Sequence, residues 1–350
     1  MSGVRLKTID KLDTEVFGEL DEIYRALPAS RRSIFNDPDF LRTCWRAFER
    51  NRDPFALILE EGDQIIGGAF FRRDRLKLGG RNRKTIVPLV FRCSEFTPFI
   101  VVPGRERDFW RTVISRLLER RQPVFLPRLL SDDVDMLPFL DNRVVRYGEV
   151  ANPVCLNEDS AFEENIKKKS LRRRTNWFVR NGELTIEHFD DVPAERIRKL
   201  AELHIERWAV DDIESKFTDP ALISLYERLA STYSDRRNGQ NKMVLTDIKF
   251  NGVSIAMHLG FVWQDTFLYQ IPAVNVEYSD RWPGEVLMKA LFEYARDKGY
   301  SVFDLGFGDE WYKSRYANAS YTYHNVLLES SSAAATTLSA IRRIVKPFAG

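Results

Sequence analysis

Cysteine is scarce in this chain. Three residues in 350, Cys44, Cys93 and Cys155, stand far apart in apolar surroundings. An odd, scattered count fits reduced thiols in a cytoplasm better than a disulfide framework or a metal site. Long apolar runs are missing too. None approaches the roughly 20 residues a membrane-crossing helix requires, and the opening "MSGVRLKTIDKLD" lacks the apolar core of a signal peptide. The expectation is a soluble, cytoplasmic protein without a transmembrane segment. An excess of one charge is also lacking. Lys plus Arg number 53 against 51 Asp plus Glu, a net charge of +2, so affinity for nucleic acid or a membrane surface has to come from a local patch. There is no Ser-His-Asp set and no Walker loop, and Cys155 has no histidine near it in sequence, which disfavours hydrolase and nucleotide-triphosphatase chemistry.

What is present is the balance of a globular protein, 44% apolar and 30% charged, in a chain long enough for two domains. An internal echo organises it. "FALILEEGDQIIGGAFFRR" reads as strand, glycine-containing turn, strand, and "KMVLTDIKFNGVSIAMHLGFVW" repeats that plan with Asn251-Gly252 as the stronger hairpin signal. Both second strands carry small residues, Gly67 and Gly68 in one and Ala256 in the other. "FWRTVISRLLERRQPVFLPRL" then gives a helix and an apolar strand, matched later by "EVLMKALFEYARDKGYSVFDLG". Two copies of one unit about half a chain apart imply a duplicated α/β fold with mixed sheets. The expected domains are 1–150 and 151–330, with a flexible tail over 331–350.

At the join, "SAFEENIKKKSLRRRTNWFVRNGELTIEHF" reads as one helix closed at Asn181-Gly182 and followed by a strand. On a helical wheel Phe162, Ile166 and Trp177 fall together, while the basic run Lys167–Arg174 lies nearly all round. That distribution suits an anionic contact, although a solvated helix, partly offset by Glu163 and Glu164, is slightly favoured. The next helix places Ile197, Leu200, Ala201, His204 and Trp208 on one face. A further helix starts with Asp219 as N-cap and Pro220 in the first turn.

Two stretches carry candidate chemistry. In "YSDRWPGEVL", Tyr278 to Leu287, Pro283 suits a helix start and Gly284 lets a ligand approach the backbone, where free N–H groups form an anion site. The plainer alternative, a punctuated strand-to-helix loop, stands about even. "DLGFGDEWYKSRY", Asp304 to Tyr316, gathers Asp304, Asp309, Glu310, Tyr312 and Lys313 just after an apolar strand. Turn capping and a snorkelling Tyr-Lys pair are the alternatives, and function is favoured for the cluster as a whole. His204 shares a face with Leu200 and Trp208 and reads first as a hydrogen-bonded core histidine. His258, inside "IAMHLGF", faces either the core or a cleft, with the core slightly ahead.

The element order of the second half resembles the GNAT (Gcn5-related N-acetyltransferase) fold, whose acyl-CoA loop runs Arg/Gln-x-x-Gly-x-Gly/Ala at this junction. Arg281 and Gly284 fall in register, and Val286 replaces the last small residue. The block from Tyr278 to Lys313 further resembles FemAB-like and CelD-like acyltransferases, in which Pro-Gly opens the helix and Asp-x-x-x-Gly-Asp-Glu-x-Tyr-Lys follows the next strand. Asp304, Gly308, Asp309, Glu310, Tyr312 and Lys313 all match. The resemblance covers roughly residues 150–325; the first half matches in general plan.

The resemblance implies tandem GNAT-like domains and acyl transfer from acyl-CoA to an amine, with no metal. Arg281, Trp282, Gly284, Glu285 and Val286 would form the cofactor loop, and backbone N–H groups near Leu268–Val274 would stabilise the oxyanion. Glu310 or Asp309 would act as base and Tyr312 as acid, with Lys313 on an anionic group. His204, Trp208, His258, Tyr269 and Asp304 would join Lys313 on the substrate side. The basic run would meet CoA phosphates, a polyanionic acceptor or RNA. The first domain lacks the loop and the cluster and would shape the acceptor cleft or brace its partner. The acceptor would be a small-molecule, saccharide or peptide amine, as in envelope or exopolysaccharide synthesis, with no DNA partner. Two alternatives stay open. One is an aminoacyl-tRNA donor, although the inserted coiled-coil arm of many FemAB relatives is missing. The other is a degenerate scaffold, to which Val286 gives room.

Overall fold

The computed structural model describes residues 3–78, 80–137, 144–234 and 241–328, and the tail expected over 331–350 lies outside them. The chain divides into two compact units: Met1–Ala151 with the chain from Thr322 onward, and Asn152–Tyr321.

The first unit opens with β1 (Val4–Ile9), α1 (Thr14–Ala26) and α2 (Pro38–Phe48), each helix capped by an aspartate, Asp13 or Asp37. Next come β2 (Phe55–Glu61), β3 (Gln64–Leu78), β4 (Arg81–Pro88), β5 (Ile100–Val101), α3 (Glu106–Glu119), β6 (Val124–Leu130) and α4 (Ser131–Met136). Strands β1 to β4 pair antiparallel in sequence order. After the α3 crossover, β6 returns parallel to β4 through the single pair Ile86–Val124. Gly67 lets α3 close on the sheet, since a Cβ there would sit 2.9 Å from both the Ile100 carbonyl and the Phe109 ring. Phe55, Leu57, Phe71, Phe109, Trp110 and Leu117 fill this core.

The chain continues through β7 (Val144–Leu156) into the second unit, with α5 (Ala161–Lys167), α6 (Lys169–Asn181), β8 (Leu184–Phe189), α7 (Ala194–Ala209) and α8 (Pro220–Ser234). Then follow β9 (Lys242–Phe250), β10 (Val253–Trp263), β11 (Thr266–Val274), α9 (Pro283–Asp297), β12 (Val302–Asp304), α10 (Trp311–Ser314) and β13 (Ala319–Leu328). Asn251 and Gly252 take φ of 49° and 80°, the two positive angles that a two-residue hairpin demands between Phe250 and Val253. Strands β8 to β11 are antiparallel neighbours, and β12 returns parallel to β11 after α9. The order in both units is therefore four antiparallel strands, a crossover helix and a parallel strand. The fold is the α/β class with mixed sheets that the echo implied.

One element differs from expectation. The helix read over the basic run is two helices, broken at Lys168, whose ψ of 129° is not helical. Phe162 and Ile166 lie four residues apart and Leu171 and Phe178 seven apart, and all four are buried. The step from 166 to 171 is five residues, which a continuous helix would turn off its buried face. The break restores the phase, so that Phe178 rather than Trp177 enters the core.

Among the described residues no helix is long and apolar enough to cross a membrane.

Candidate active site

Parallel pairing of β11 with β12 covers Thr266–Leu268 against Val302–Asp304 and stops there. Strand β11 runs on to Val274, while the chain beyond Asp304 turns off through Gly306 (φ 73°) and Gly308 (φ 117°). The carboxyl ends of two adjacent parallel strands thus part, which is where open α/β sheets receive ligands.

The chain leaving β11 forms one wall. It runs half-buried to exposed through Val276–Arg281 to Trp282, which takes φ 61° as the N-cap of α9 and provides no side-chain cap. Pro283 fills the first helical position. Gly284 is half-buried and loosely packed, with Val274 Cγ1 at 3.8 Å the one atom within 4 Å of a would-be Cβ. An uncapped helix start beside a missing side chain is suited to a phosphate. Glu285 is turned away from that opening and accepts from Arg315 Nη1 at 3.1 Å, while Arg315 Nη2 donates to Ser170 at 2.9 Å. Val286 is buried in the core, so its side chain offers nothing to a ligand.

Helix α6 packs beside this wall. The Arg281 guanidinium lies 4.5 Å from the Trp177 ring centre, and Arg174 lies 5.2 Å from that of Trp282. Here a hollow of about 1000 Å³ is lined by seven cations, Lys167, Lys169, Arg172, Arg173, Arg174, Arg180 and Arg281, with Asn176, Trp177 and Asn181. No carboxylate lines it. The basic run and the glycine loop, weighed separately in sequence, are therefore neighbours.

The chain leaving β12 forms the second wall. Asp304 is buried and accepts from Asn152 Nδ2 at 2.9 Å and from the Gly306 N–H at 2.8 Å, which fixes the strand exit. The Lys313 ammonium is buried over the same turn, donating to the Phe307 carbonyl at 2.6 Å and the Gly306 carbonyl at 3.3 Å and pairing with Glu310 Oε2 at 2.9 Å. Glu310 folds back across Gly308, where a Cβ would sit 2.4 Å from its Oε2. The Tyr312 and Tyr269 phenols are close enough to perturb each other's ionisation. Burial, then the neighbouring tyrosine and Glu310, push the Tyr269 phenol well above its usual range, and burial with Glu310 does the same to Tyr312. Burial pushes Tyr316 up to about 12. Protonated phenols beside a half-buried carboxylate pair a proton donor with a proton acceptor.

The structure thus brings together Glu310, Tyr312, Lys313, Tyr269 and Asp304, with Asp309 exposed on the same turn. It sets other candidates apart. His204 is buried with Nδ1 2.8 Å from Ser215 Oγ and stacks on Trp208, the geometry of a hydrogen-bonded core histidine. Burial lowers its pKa to about 3. His258 is fully buried. Sequence reasoning passed over Arg315, and it named Arg174 and Trp177 without linking them to the glycine loop, since that link depends on contacts between distant elements. It also passed over Gly260, for which a signal existed, since a glycine inside a strand marks a bulge or a close approach. His188 was overlooked as well; it bonds Thr246 at 2.8 Å. Among the described residues no group of three or more His, Cys, Asp or Glu side chains is placed to hold a metal ion.

Residues 166–314 match the family model of the acetyltransferase (GNAT) domain. Among solved structures, FemX is similar over 97% of this chain and 99% of its own, at 11% identity and a TM-score of 0.53. The C-terminal DUF2156 domain of a protein from Agrobacterium fabrum, described as a lysylphosphatidylglycerol synthetase, covers 94% of this chain and 95% of its own length, at 12% identity and a TM-score of 0.57. A tandem GNAT protein from the clavulanic acid biosynthesis pathway covers 94% and 99%, at 11% identity and a TM-score of 0.51. At such identities the likeness is one of fold. No curated protein matches the chain. Residues 166–314 are therefore similar to a GNAT-type acetyltransferase domain, on a fold shared with tandem GNAT and FemX structures.

Proposed function

We propose that the unit Asn152–Tyr321 transfers an acyl group from acyl-CoA to an amine at the gap between β11 and β12. The observation that carries this is the uncapped α9 start, with Gly284 bare of a side chain there and the seven-cation hollow lined by the nearby Arg281. Those groups suit the phosphates of a CoA thioester, which would direct the acyl end toward the parted strands. Glu310 would take the proton that the amine sheds, and Tyr312 would return one to the departing sulfur. Backbone N–H groups of β11 would face the oxyanion. Asp304 and Lys313 would hold the turn that carries Glu310 instead of touching substrate, and Asp309 would be the exposed, secondary candidate for the base. The first unit, which lacks both walls, would support and not react. The resemblance to FemAB-like and CelD-like proteins sets the acceptors to try: amino sugars and peptide amines of envelope or exopolysaccharide synthesis, in the cytoplasm.

The test is an assay of acetyl-CoA and longer acyl-CoAs against those amines, read by mass spectrometry of product and by free thiol, with calorimetry of CoA binding. Thiol release that requires an amine is expected; absence of both CoA binding and thiol release would remove this function. A second donor, aminoacyl-tRNA, is favoured by one observation: seven cations exceed what a pyrophosphate needs. It predicts RNA binding that weakens steeply with salt and no thiol release from CoA.

A further inference from the structure

Strands β10 and β11 pair Leu259 with Ile271 and Phe261 with Leu268, which leaves Tyr269 and Gln270 opposite Gly260 alone. This is a bulge in β11, and a bulge takes backbone groups out of the ladder. Here a side chain replaces the lost partner. The Gln270 N–H donates to His258 Nε2 at 3.1 Å. The imidazole fits because position 260 carries no side chain; a Cβ there would sit 2.2 Å from the Leu268 carbonyl oxygen and 2.4 Å from His258 Cε1. The ring lies flat against Tyr269, with centroids 4.9 Å apart and planes 5° from parallel. Tyr269 in turn is a close electrostatic neighbour of Tyr312 and Glu310. His258 thus stands under the floor of the site, out of reach of any substrate.

Its chemistry is unusual for a packing residue. Accepting at Nε2 requires a neutral ring with its proton on Nδ1, and burial, which lowers the pKa to about 3, keeps it neutral. Nδ1 has no hydrogen-bond partner among the described residues. An unpaired buried N–H is destabilising, and a phenylalanine would fill the space without that penalty. The cost makes sense if the acceptor at Nε2 is what the position is for.

We propose that His258 is a positioning residue for acyl transfer, holding the Tyr269–Gln270 bulge so that the β11 backbone and the Tyr269 ring face the reacting carbonyl. This rests on the β11–β12 gap being the acyl-transfer site. The test compares His258→Phe, which keeps the ring and loses the acceptor, with His258→Gln, whose side-chain oxygen reaches the place of Nε2. Amide hydrogen exchange at Gln270, the melting temperature, kcat and the donor KM are measured for each. In His258→Phe the Gln270 amide should lose protection and kcat should fall at least about tenfold, with the donor KM within about twofold of wild type. His258→Gln should restore both, to within about threefold in kcat. Should His258→Phe fail to fold, His258→Gln decides alone: folded with near-normal kcat it supports the proposal, folded and slow it overturns it. A folded His258→Phe that exposes the Gln270 amide yet keeps wild-type kcat also overturns it. Inactivity of the wild-type protein with every donor would instead sink the acyl-transfer function.

Discussion

The two units have the same frame and treat its open end in opposite ways. In both, a strand and its parallel partner meet briefly and part, and a helix crosses between them. In the first unit the chain after β4 folds back into the parting. Leu89, Val90, Phe91, Cys93, Ser94, Glu95 and Thr97 are buried there. Arg72, itself buried, holds the segment through the Leu89 and Phe91 carbonyls at 3.1 and 2.9 Å, and Arg128 holds it through the Ser94 and Glu95 carbonyls at 2.6 Å each. The α3 start carries Glu106 and Asp108, acids that repel a phosphate, and Arg105 is paired with Glu61. In the second unit the chain after β11 stays outside, the α9 start carries a bare glycine, and the cations beside it face a hollow. The fold provides a gap, and the local sequence decides whether protein or ligand fills it.

The largest expected effect separates the two strand exits. Glu310→Gln should lower kcat by about 10²–10⁴-fold per folded molecule, since it removes a proton acceptor and keeps the shape, and should lower the melting temperature because the buried Lys313 loses its counter-charge. Asp132→Asn, on the corresponding exit after β6, should leave kcat at wild type. Equal losses from both would break the division of labour. Next comes the plug. Arg72→Met leaves two buried carbonyls without their donor and Asp74 with only Arg52 and the Arg75 N–H, and should destabilise the first unit by about 3–5 kcal/mol. Urea unfolding checks this, and kcat per folded molecule should not change.

How far this asymmetry could be read from sequence varies by residue. Asn251-Gly252 announced its hairpin because two positive φ angles are a local demand. The match of Asp304, Gly308, Glu310, Tyr312 and Lys313 singled out a turn whose side chains do converge, although only the structure shows Lys313 inside it. The helix break at Lys168 escaped a reading based on charge, because the five-residue step between Ile166 and Leu171 was the telling feature. The orientation of His258 was not legible at all. Strand β10 is buried on both faces from Ile255 to Trp263, so alternation gives no parity to follow. The filled gap of the first unit was equally silent, since apolar residues in "LVFRCSEFTPF" look alike whether they plug a cleft or line one.

Acid should distinguish the units with opposite signs. His204 and His258 sit near pKa 3 when folded, against roughly 6.5 unfolded, so below pH about 6.5 the unfolded chain binds more protons. Each histidine should then withdraw on the order of 4 kcal/mol from the second unit as pH falls from about 6.5 toward 3. Asp247 works against them, its pKa raised by burial. In the first unit Asp133 is raised to about 6, mainly by burial and despite Arg31 at 2.6 Å. Its contribution is present below about pH 3.9 and is lost as pH rises through 6, to the extent of about 3 kcal/mol. Hydrogen exchange at pH 7, 5 and 4 should show protection falling first in the second unit. Earlier opening of the first unit would reverse the assignment.

The smallest effect tests the hollow itself. Arg172 and Arg111 are exposed helix arginines, one on α6 in the hollow and one on α3 beside the acidic helix start. Neither supports the core, so charge reversal should leave both proteins folded. Arg172→Glu should raise the donor KM about fivefold at low salt, with kcat unchanged, because a phosphate contact is made alike in ground and transition states. The difference should shrink as ionic strength rises, since exposed charges are screened within about 10 Å at 0.1 M salt. Arg111→Glu should change nothing at either salt. If the two reversals behave alike, the cations of α6 are a solvated face, and the phosphates of the donor bind at the α9 start alone.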